Sequence, residues 1–363
     1  MIYVADFIIA FSLLQLLVAF VNIFFAEKLP RGGSDISAYS VSVLIPARNE
    51  ERNIQNLLND LTRIKDNWLE IMVLDDQSAD RTADVVRDFA ARHERIRCIQ
   101  SNQLPEGWLG KNHACHQLAL NAAGDYLLFL DADVRVYEGL IDNGLRYMLD
   151  KKTDLLSIFP VQEMRSVAEK ITVPNMHFIL LTLLPLPLVR LLRFPSMAAA
   201  NGQFMLFNKE TYHAFLPHER FRKSRAEDIE IARFYKMRKK NVSCLTGARQ
   251  VRCRMYGSLP EAVEGFSKNV AYFFGNSYLW AVVFWLITTL GFIPVLMAGK
   301  MYLLVLYVFT TVLTRVFFSL AAKQNVFENL VFAIPQQITL GLFICKSIIN
   351  KTKNQFKWKG RNI

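Results

Sequence analysis

The sequence predicts an α/β domain, a mainly parallel sheet with helices on both faces, set between transmembrane helices. Three observations carry that expectation: strand and helix patterns alternate between about residues 38 and 260, carboxylates gather at the predicted strand ends, and the apolar excess lies at the two termini. The chain has 363 residues, 52% of them hydrophobic. That is enough for one domain of ordinary size plus membrane segments.

Ile2 to Phe25 contains a single ionised side chain, Asp6, and at roughly 20 residues it is long enough to cross a bilayer. Residues 1–27 are therefore predicted to be a membrane anchor. Met1 to Asp6 lacks the basic region of a cleaved signal peptide. Lys28 and Arg31 follow at once, which by the positive-inside rule places the N-terminus outside and the next domain in the cytoplasm.

The domain predicted over 38–270 opens with Val41 to Pro46, a buried strand stopped by proline. Glu50 to Ile64 then carries Ile54, Leu57, Leu58, Leu61 and Ile64 at helical spacing. Leu69 to Leu74 is a strand ending at Asp75-Asp76, followed by a helix from about Arg81 to His93 and a strand at Ile96 to Gln100. Ala114 to Ala123 is helical, and the apolar strand Tyr126 to Leu130 delivers Asp131 and Asp133. In such a sheet ligands bind beyond the carboxyl ends of the strands, where these acidic residues lie.

Asp131-Ala132-Asp133 has two carboxylates at i and i+2. On an extended strand both face one side and can meet one hard cation, Mg²⁺ or Mn²⁺. Such a cation suits a leaving diphosphate. A plain strand-capping turn fits the same three residues.

Gly107 to Asn112 surrounds Lys111 but is not a P-loop, because Pro105 takes the first glycine position and Asn112 replaces Ser/Thr. Kinase and ATPase chemistry are thereby disfavoured, and Lys111 remains a diphosphate ligand candidate. His113, Cys115 and His116 lack a fourth soft ligand nearby, so packing is expected of them. Trp108 fits either a cover over a ligand or packing. Glu227-Asp228 opens a helix, where the macrodipole favours acidic residues in any case.

Taken together, Ile45 to Glu50, Leu74 to Thr82, Asp131-Ala132-Asp133 and Glu227-Asp228 resemble, in order and approximate spacing, the family 2 glycosyltransferases with the GT-A fold. Gly107 to Cys115, Arg254-Met255-Tyr256, Glu264 to Lys268 and Trp358 to Arg361 are similar to the membrane-bound branch with carotenoid (diaponeurosporenoate) and hopanoid-associated members. The resemblance implies that Pro46, Arg48 and Glu50, in one loop, hold the nucleoside with Asp76, and that Asp75 supports that contact or the ribose. It implies a divalent metal, Mg²⁺ or Mn²⁺, on Asp133, with Asp131 helping through ribose or a water. Asp228 becomes the general base of an inverting transfer, and Glu227 its orienting or acceptor-binding neighbour. A nucleotide-diphosphate sugar, UDP-sugars included, is the implied donor.

Phe178 to Phe194 is apolar but interrupted by Pro185 and Pro187 and carries Arg190 and Arg193. It fits an interfacial segment (178–194) that admits a lipid acceptor, or a buried helix of the domain. Arg252, Arg254 and Lys268 fit either diphosphate contacts or a basic face at the headgroups. Residues 278–322 read as a transmembrane hairpin, with Arg315 snorkelling toward Lys323. Residues 326–345 contain Glu328, Asn329, Pro335, Gln336 and Gln337 and are expected to be interfacial, re-entrant or a third span. Residues 346–363 form a basic tail that belongs on the cytoplasmic side.

The net charge of +11 is spread over juxtamembrane segments, the Arg222 to Arg225 loop and the tail, which points to anionic lipid and not to nucleic acid. Five cysteines without a C-x-x-C pair predict reduced thiols. After Glu227-Asp228 there is no Gln-x-x-Arg-Trp, so transfer of a single sugar to a lipid, carotenoid or other polyprenoid-like, is expected at the inner membrane. A processive polysaccharide synthase and a non-catalytic nucleotide-sugar or partner-binding membrane module are the alternatives.

Overall fold

The computed structural model describes residues 1–63, 69–101, 103–353, 357–358 and 361–362. Ile64, Lys359 and Gly360, used in the expectations above, lie outside the described residues. The chain divides into two compact units: Glu27–Val161 with Leu188–Cys253, and Met1–Ala26 with Gln162–Pro187 and Arg254–Ile363.

The first unit is built on eight strands: β1 Val41–Ala47, β2 Leu69–Asp75, β3 Ile96–Gln100, β4 Tyr126–Leu130, β5 Val134–Val136, β6 Leu155–Gln162, β7 Phe204–Asn208 and β8 Val242–Cys253. Their order across the sheet is β3-β2-β1-β4-β7-β6-β8-β5. The half from β3 to β4 is parallel, whereas β7 runs antiparallel to β4 and β6, and β5 to β8. Val43, Ile45, Ile71, Val73, Leu128 and Leu130 are buried, as strands covered on both faces require. β1 runs through Pro46 to Ala47, one residue past the predicted stop, since Pro46 sits near the strand end.

The helix Glu51–Thr62 buries Ile54, Leu57, Leu58 and Leu61 on one stripe, as its spacing predicts. Its Asp60 is buried and binds the Arg135 guanidinium of β5 through both oxygens, at 2.6 and 2.8 Å. That clamp fixes the strand that follows Asp133.

The second unit is helical. Ile2–Phe24 and Met301–Ala321 are long and apolar enough to cross a membrane. Tyr278 to Met297, predicted as one hairpin arm, is two helices, Tyr278–Leu290 and Phe292–Met297; Leu259–Phe274 meets the first of them at 98°. Ala333–Thr352 is a single helix of 20 residues. Ser12, Gln15 and Asn22 of Ile2–Phe24 face inward, while Asp6 is exposed. Ser12 bonds Thr310 at 3.0 Å, Gln15 donates to Thr182 at 3.1 Å, and Asn22 binds the chain around Pro185.

Arg315 differs from expectation. Arg315 is 7% exposed and donates to Asn329 O, Gln336 Oε1 and Ala333 O, so it does not snorkel: acceptors inside the helical unit satisfy it better than distant headgroups. Arg190 pairs with Glu27 at 2.6 Å within the sheet unit. Helix Pro174–Leu183 is largely buried, with Phe178 to Thr182 turned away from the surface.

Candidate functional site

Two loops at the carboxyl ends of β1 and β2 are laced together. Register places Ala47 opposite Asp75, and the Asp76 N–H donates to Ala47 O at 2.8 Å. Arg48 donates to the carbonyls of Asp76 and Gln77, the latter at 3.0 Å. Asn49 and Gln77 both adopt left-handed backbone, φ 52° and 56°, and Asn49 exchanges bonds with the second loop: its N–H donates to Ser78 Oγ at 3.0 Å, and the Ala79 N–H donates to its Oδ1 at 2.9 Å. The Glu50 N–H donates to Thr82 Oγ1 at 2.8 Å, and its carboxylate accepts from Asn53 at 2.8 Å.

Asp75 and Asp76 are 5% and 3% exposed. Asp75 Oδ2 accepts from the Ser78 N–H at 3.3 Å, while its Oδ1 is buried with no hydrogen-bond partner among the described residues. An orphaned carboxylate oxygen at a strand end is what an incoming donor group would satisfy. Pro46 lies in the strand itself, opposite Leu74.

β4 ends at Leu130, and Ala132-Asp133 is a turn, with the Val134 N–H donating back to Asp131 O at 3.3 Å. The extended i, i+2 geometry expected of Asp131 and Asp133 is therefore not present. Asp131 instead meets Lys111, whose Nζ lies 2.8 Å from Oδ1 and 3.1 Å from Oδ2. Asp133 lies beside Cys253, which register places opposite Val134. Burial and the Asp133 carboxylate hold that thiol protonated, well above its ordinary pKa.

Lys111 links the strand end to the helix Glu227–Met237, its Nζ being 3.5 Å from Glu227 Oε1. Burial works toward discharging this lysine, but Asp131 and then Glu227 outweigh it and hold its pKa well above the usual. Burial raises both Glu227 and Asp228, and for Glu227 the neighbouring Asp228 charge adds to it. Asp228 Oδ2 accepts the Gly202 N–H at 2.9 Å and Oδ1 the Ile229 N–H at 2.8 Å. A carboxylate raised by burial and fixed in place by two amides is suited to accept a proton.

Sequence reasoning missed Asn201-Gly202-Gln203. β7 pairs antiparallel with β4, Leu130 opposite Phe204, and this brings the segment alongside Asp131, whose N–H donates to Gln203 O at 3.4 Å. Gln203 Nε2 reaches Cys253 Sγ at 2.8 Å. A Cβ on Gly202 would lie 3.0 Å from Lys111 Nζ, 3.5 Å from Glu227 Oε1 and 3.7 Å from Asp228 Oδ2. The Asn-Gly pair before an apolar strand was the available signal.

Trp108 packs on His113 and His116, ring centroids 5.4 and 5.2 Å away. Burial lowers the pKa of both histidines. Asn112 ties this helix start to the loop before Glu227, donating to the carbonyls of Phe221 and Ser224 at 2.9 Å each. Arg254 pairs with Glu169 at 2.7 Å in the helical unit.

Among the described residues no three or more His, Cys, Asp or Glu are grouped to hold a metal. The donor set is two carboxylates, Asp131 and Asp133, with Asp131 already on Lys111. Hard oxygen donors of that number match Mg²⁺ or Mn²⁺ sites that substrate phosphates and waters complete, and not an all-protein cage.

The model of glycosyl transferase family 2 matches residues 42–216. A 4,4'-diaponeurosporenoate glycosyltransferase of Staphylococcus haemolyticus (strain JCSC1435) is 28% identical over 244 residues, 64% of this chain and 61% of that protein. The protein of the same name from Staphylococcus aureus (strain MRSA252) is 27% identical over 346 residues, 89% of this chain and 88% of that protein. A mannosyltransferase from Pyrobaculum calidifontis, solved with GDP-Man and Mn²⁺, superposes with a TM-score of 0.55 at 16% identity, over 96% of this chain and 99% of that one. The fold is thus GT-A, a mixed sheet with helices on both sides.

Proposed function

The chain carries a glycosyltransferase family 2 domain, and from that premise we propose that it moves one sugar from a nucleotide-diphosphate donor to a lipid acceptor at the cytoplasmic face of the membrane, with inversion. The observation that carries the chemistry is the assembly of Glu227 and Asp228 with Lys111 and Asp131, held by the Gly202 amide.

The loops around Arg48 and Asp76 hold the nucleoside, and Pro46 and Glu50 shape them. Asp75 offers its unsatisfied oxygen to the ribose or to that contact. Asp131 and Asp133 would hold a divalent metal, Mg²⁺ or Mn²⁺, which when bound neutralises charge on the departing diphosphate. Lys111 brings a fixed positive charge to the same place. The acceptor oxygen forms a bond to the anomeric carbon, the bond from that carbon to the diphosphate oxygen breaks with its electron pair, and Asp228 takes the proton of a hydroxyl or un-ionised carboxyl acceptor, whereas an ionised carboxylate attacks without proton transfer. Glu227 orients Asp228 or binds the acceptor, and burial, with the Asp131 charge, keeps the proton affinity of Asp228 high.

The names of the Staphylococcus relatives support a carotenoid acid or similar polyprenoid as acceptor. Two helices of membrane-spanning length and composition support a multi-pass protein whose acceptor is lipid. The basic residues flanking them suit anionic headgroups.

The deciding experiment supplies purified protein with a panel of nucleotide sugars, Mg²⁺ or Mn²⁺ and membrane lipid extract, and identifies glycosylated lipid by mass spectrometry. One sugar per lipid is expected, lost with chelator and in Asp133→Ala. No transfer from any donor, or full activity in both Asp133→Ala and Asp228→Asn, would sink this function, and a long polymer would replace it with a processive synthase.

A further inference from the structure

The helical unit encloses a 440 Å³ cavity between Ile2–Phe24, Pro174–Leu183, Met301–Ala321 and the start of Ala333–Thr352. Leu290, Ile334 and Ile338 on its rim are apolar and exposed, so it opens onto the hydrocarbon-facing surface. Ser12, Gln15, Thr311, Thr314 and Gln337 are among its polar lining, and Arg315 is the charged side chain among the described residues that line it.

Arg315 is the unusual group there. It is 7% exposed, lies over the Phe178 ring at 5.2 Å, and makes hydrogen bonds at 2.8 to 3.2 Å to Gln336 Oε1 and the carbonyls of Asn329 and Ala333. All three acceptors are neutral. No carboxylate among the described residues pairs with it, so three of the five N–H groups are used and the positive charge stays uncompensated. Burying a cation is costly unless an anion joins it. Thr314 Oγ1, 4% exposed, also has no hydrogen-bond partner among the described residues.

We propose that this cavity is a binding site for a single-chain lipid bearing a carboxylate, with the head on Arg315 and Thr314 and the chain leaving past Ile334 and Ile338. The guanidinium edge left by the neutral carbonyls matches a carboxylate in shape and charge. The volume falls in the range of roughly 300–1,000 Å³ typical of sites for one small ligand, which fits one chain and not a diacyl phospholipid with its bulky head. The site stands on the cavity and its cation and is independent of the transfer chemistry proposed above.

The test uses full-length protein in phosphatidylcholine nanodiscs and a diazirine-bearing palmitate as probe. Crosslinks are expected on Ile8 to Gln15 and on Ala333 to Ile338, competed by palmitate and not by methyl palmitate. Arg315→Gln should weaken labelling by about tenfold or more, the scale of one lost charge-assisted contact, while Arg315→Lys retains most of it. Because Arg315→Gln also removes bonds that hold the helices, Thr311→Phe supplies a second arm. It fills the cavity one turn before Arg315, leaves the cation in place, and should abolish labelling with the melting temperature kept. Competition by methyl palmitate equal to that by palmitate, or unchanged labelling in both variants, overturns the proposal. If the sugar acceptor displaces the probe, the acceptor is the natural occupant; if it does not, a free fatty acid of the membrane is. Both results sustain the site, and a loss of sugar transfer with labelling intact bears on the transfer function alone.

Discussion

The Gly202 N–H donates to Asp228 Oδ2 at 2.9 Å, joining the turn before β7 to the start of the helix Glu227–Met237. A Cβ there would be a tight fit, with Lys111 Nζ 3.0 Å from where that atom would be. Gly202→Ala should therefore displace the Lys111 ammonium or the Asp228 carboxylate. The expected outcome is a fall in kcat of up to about 10²-fold, the cost of a misplaced reacting group, with little change in melting temperature. Parallel kinetics and thermal scans check it.

Asp228→Asn keeps the side-chain size and one acceptor oxygen but cannot take a proton. Turnover should drop roughly 10²- to 10⁴-fold with the donor KM nearly unchanged, the range for loss of a general base. The pH profile provides an independent check. Burial raises the pKa of Asp228 and Glu227, and the base must be ionised to work, so activity is lost as pH falls through the raised value. The acid limb should therefore lie clearly above the ordinary carboxylate range near ~4. For stability the sign is opposite: the fold binds these protons more tightly than the unfolded chain, so the pair's contribution is full below the unfolded pKa and declines as pH rises through the folded one.

Lys111→Met removes the cation between Asp131 and Glu227 and leaves two carboxylates facing each other. Loss of these charge-assisted contacts should destabilise the protein by about 1.5–3 kcal/mol. Its pH dependence should steepen, because the Lys111 charge that holds the buried Glu227 carboxyl down is gone and that group rises further. Lys111→Arg should recover stability more than activity. Denaturation at two pH values and steady-state kinetics separate these outcomes.

Asn22 holds the chain where Pro185 and Pro187 break the helix pattern. Its Nδ2 donates to Leu181 O at 2.9 Å and Leu184 O at 2.8 Å, and its Oδ1 accepts the Leu186 N–H at 2.7 Å. Asn22→Leu leaves those backbone groups without partners in an apolar setting, at about 1–3 kcal/mol for each buried group. A lower melting temperature in detergent is expected, with Asn22→Gln partly restoring it.

Much of the fold was legible locally. The runs Val43 to Ile45 and Tyr126 to Leu130 are nearly continuous apolar stretches because strands buried on both faces need no alternation, and Ile54, Leu57, Leu58 and Leu61 mark one helix face. The carboxylates Asp75, Asp76, Asp131 and Asp133 were placed at strand ends by pattern alone. The antiparallel half was not legible, since the direction of β7 depends on a long connection and not on its own residues.

By itself the sequence determined the alternation of strands and helices, the acidic strand ends, the acidic pair opening the helix at Glu227 and the apolar termini, because these rest on local propensity and periodicity. Tertiary structure alone decided that Lys111 neutralises Asp131, that Gly202 holds Asp228, and that Arg315 lies buried among carbonyls instead of reaching the headgroups. Each of those pairs joins residues that lie on different elements of the fold. Which partner a charge finds is set by how the elements pack and by the cost of leaving that charge unpaired, and no local pattern encodes either.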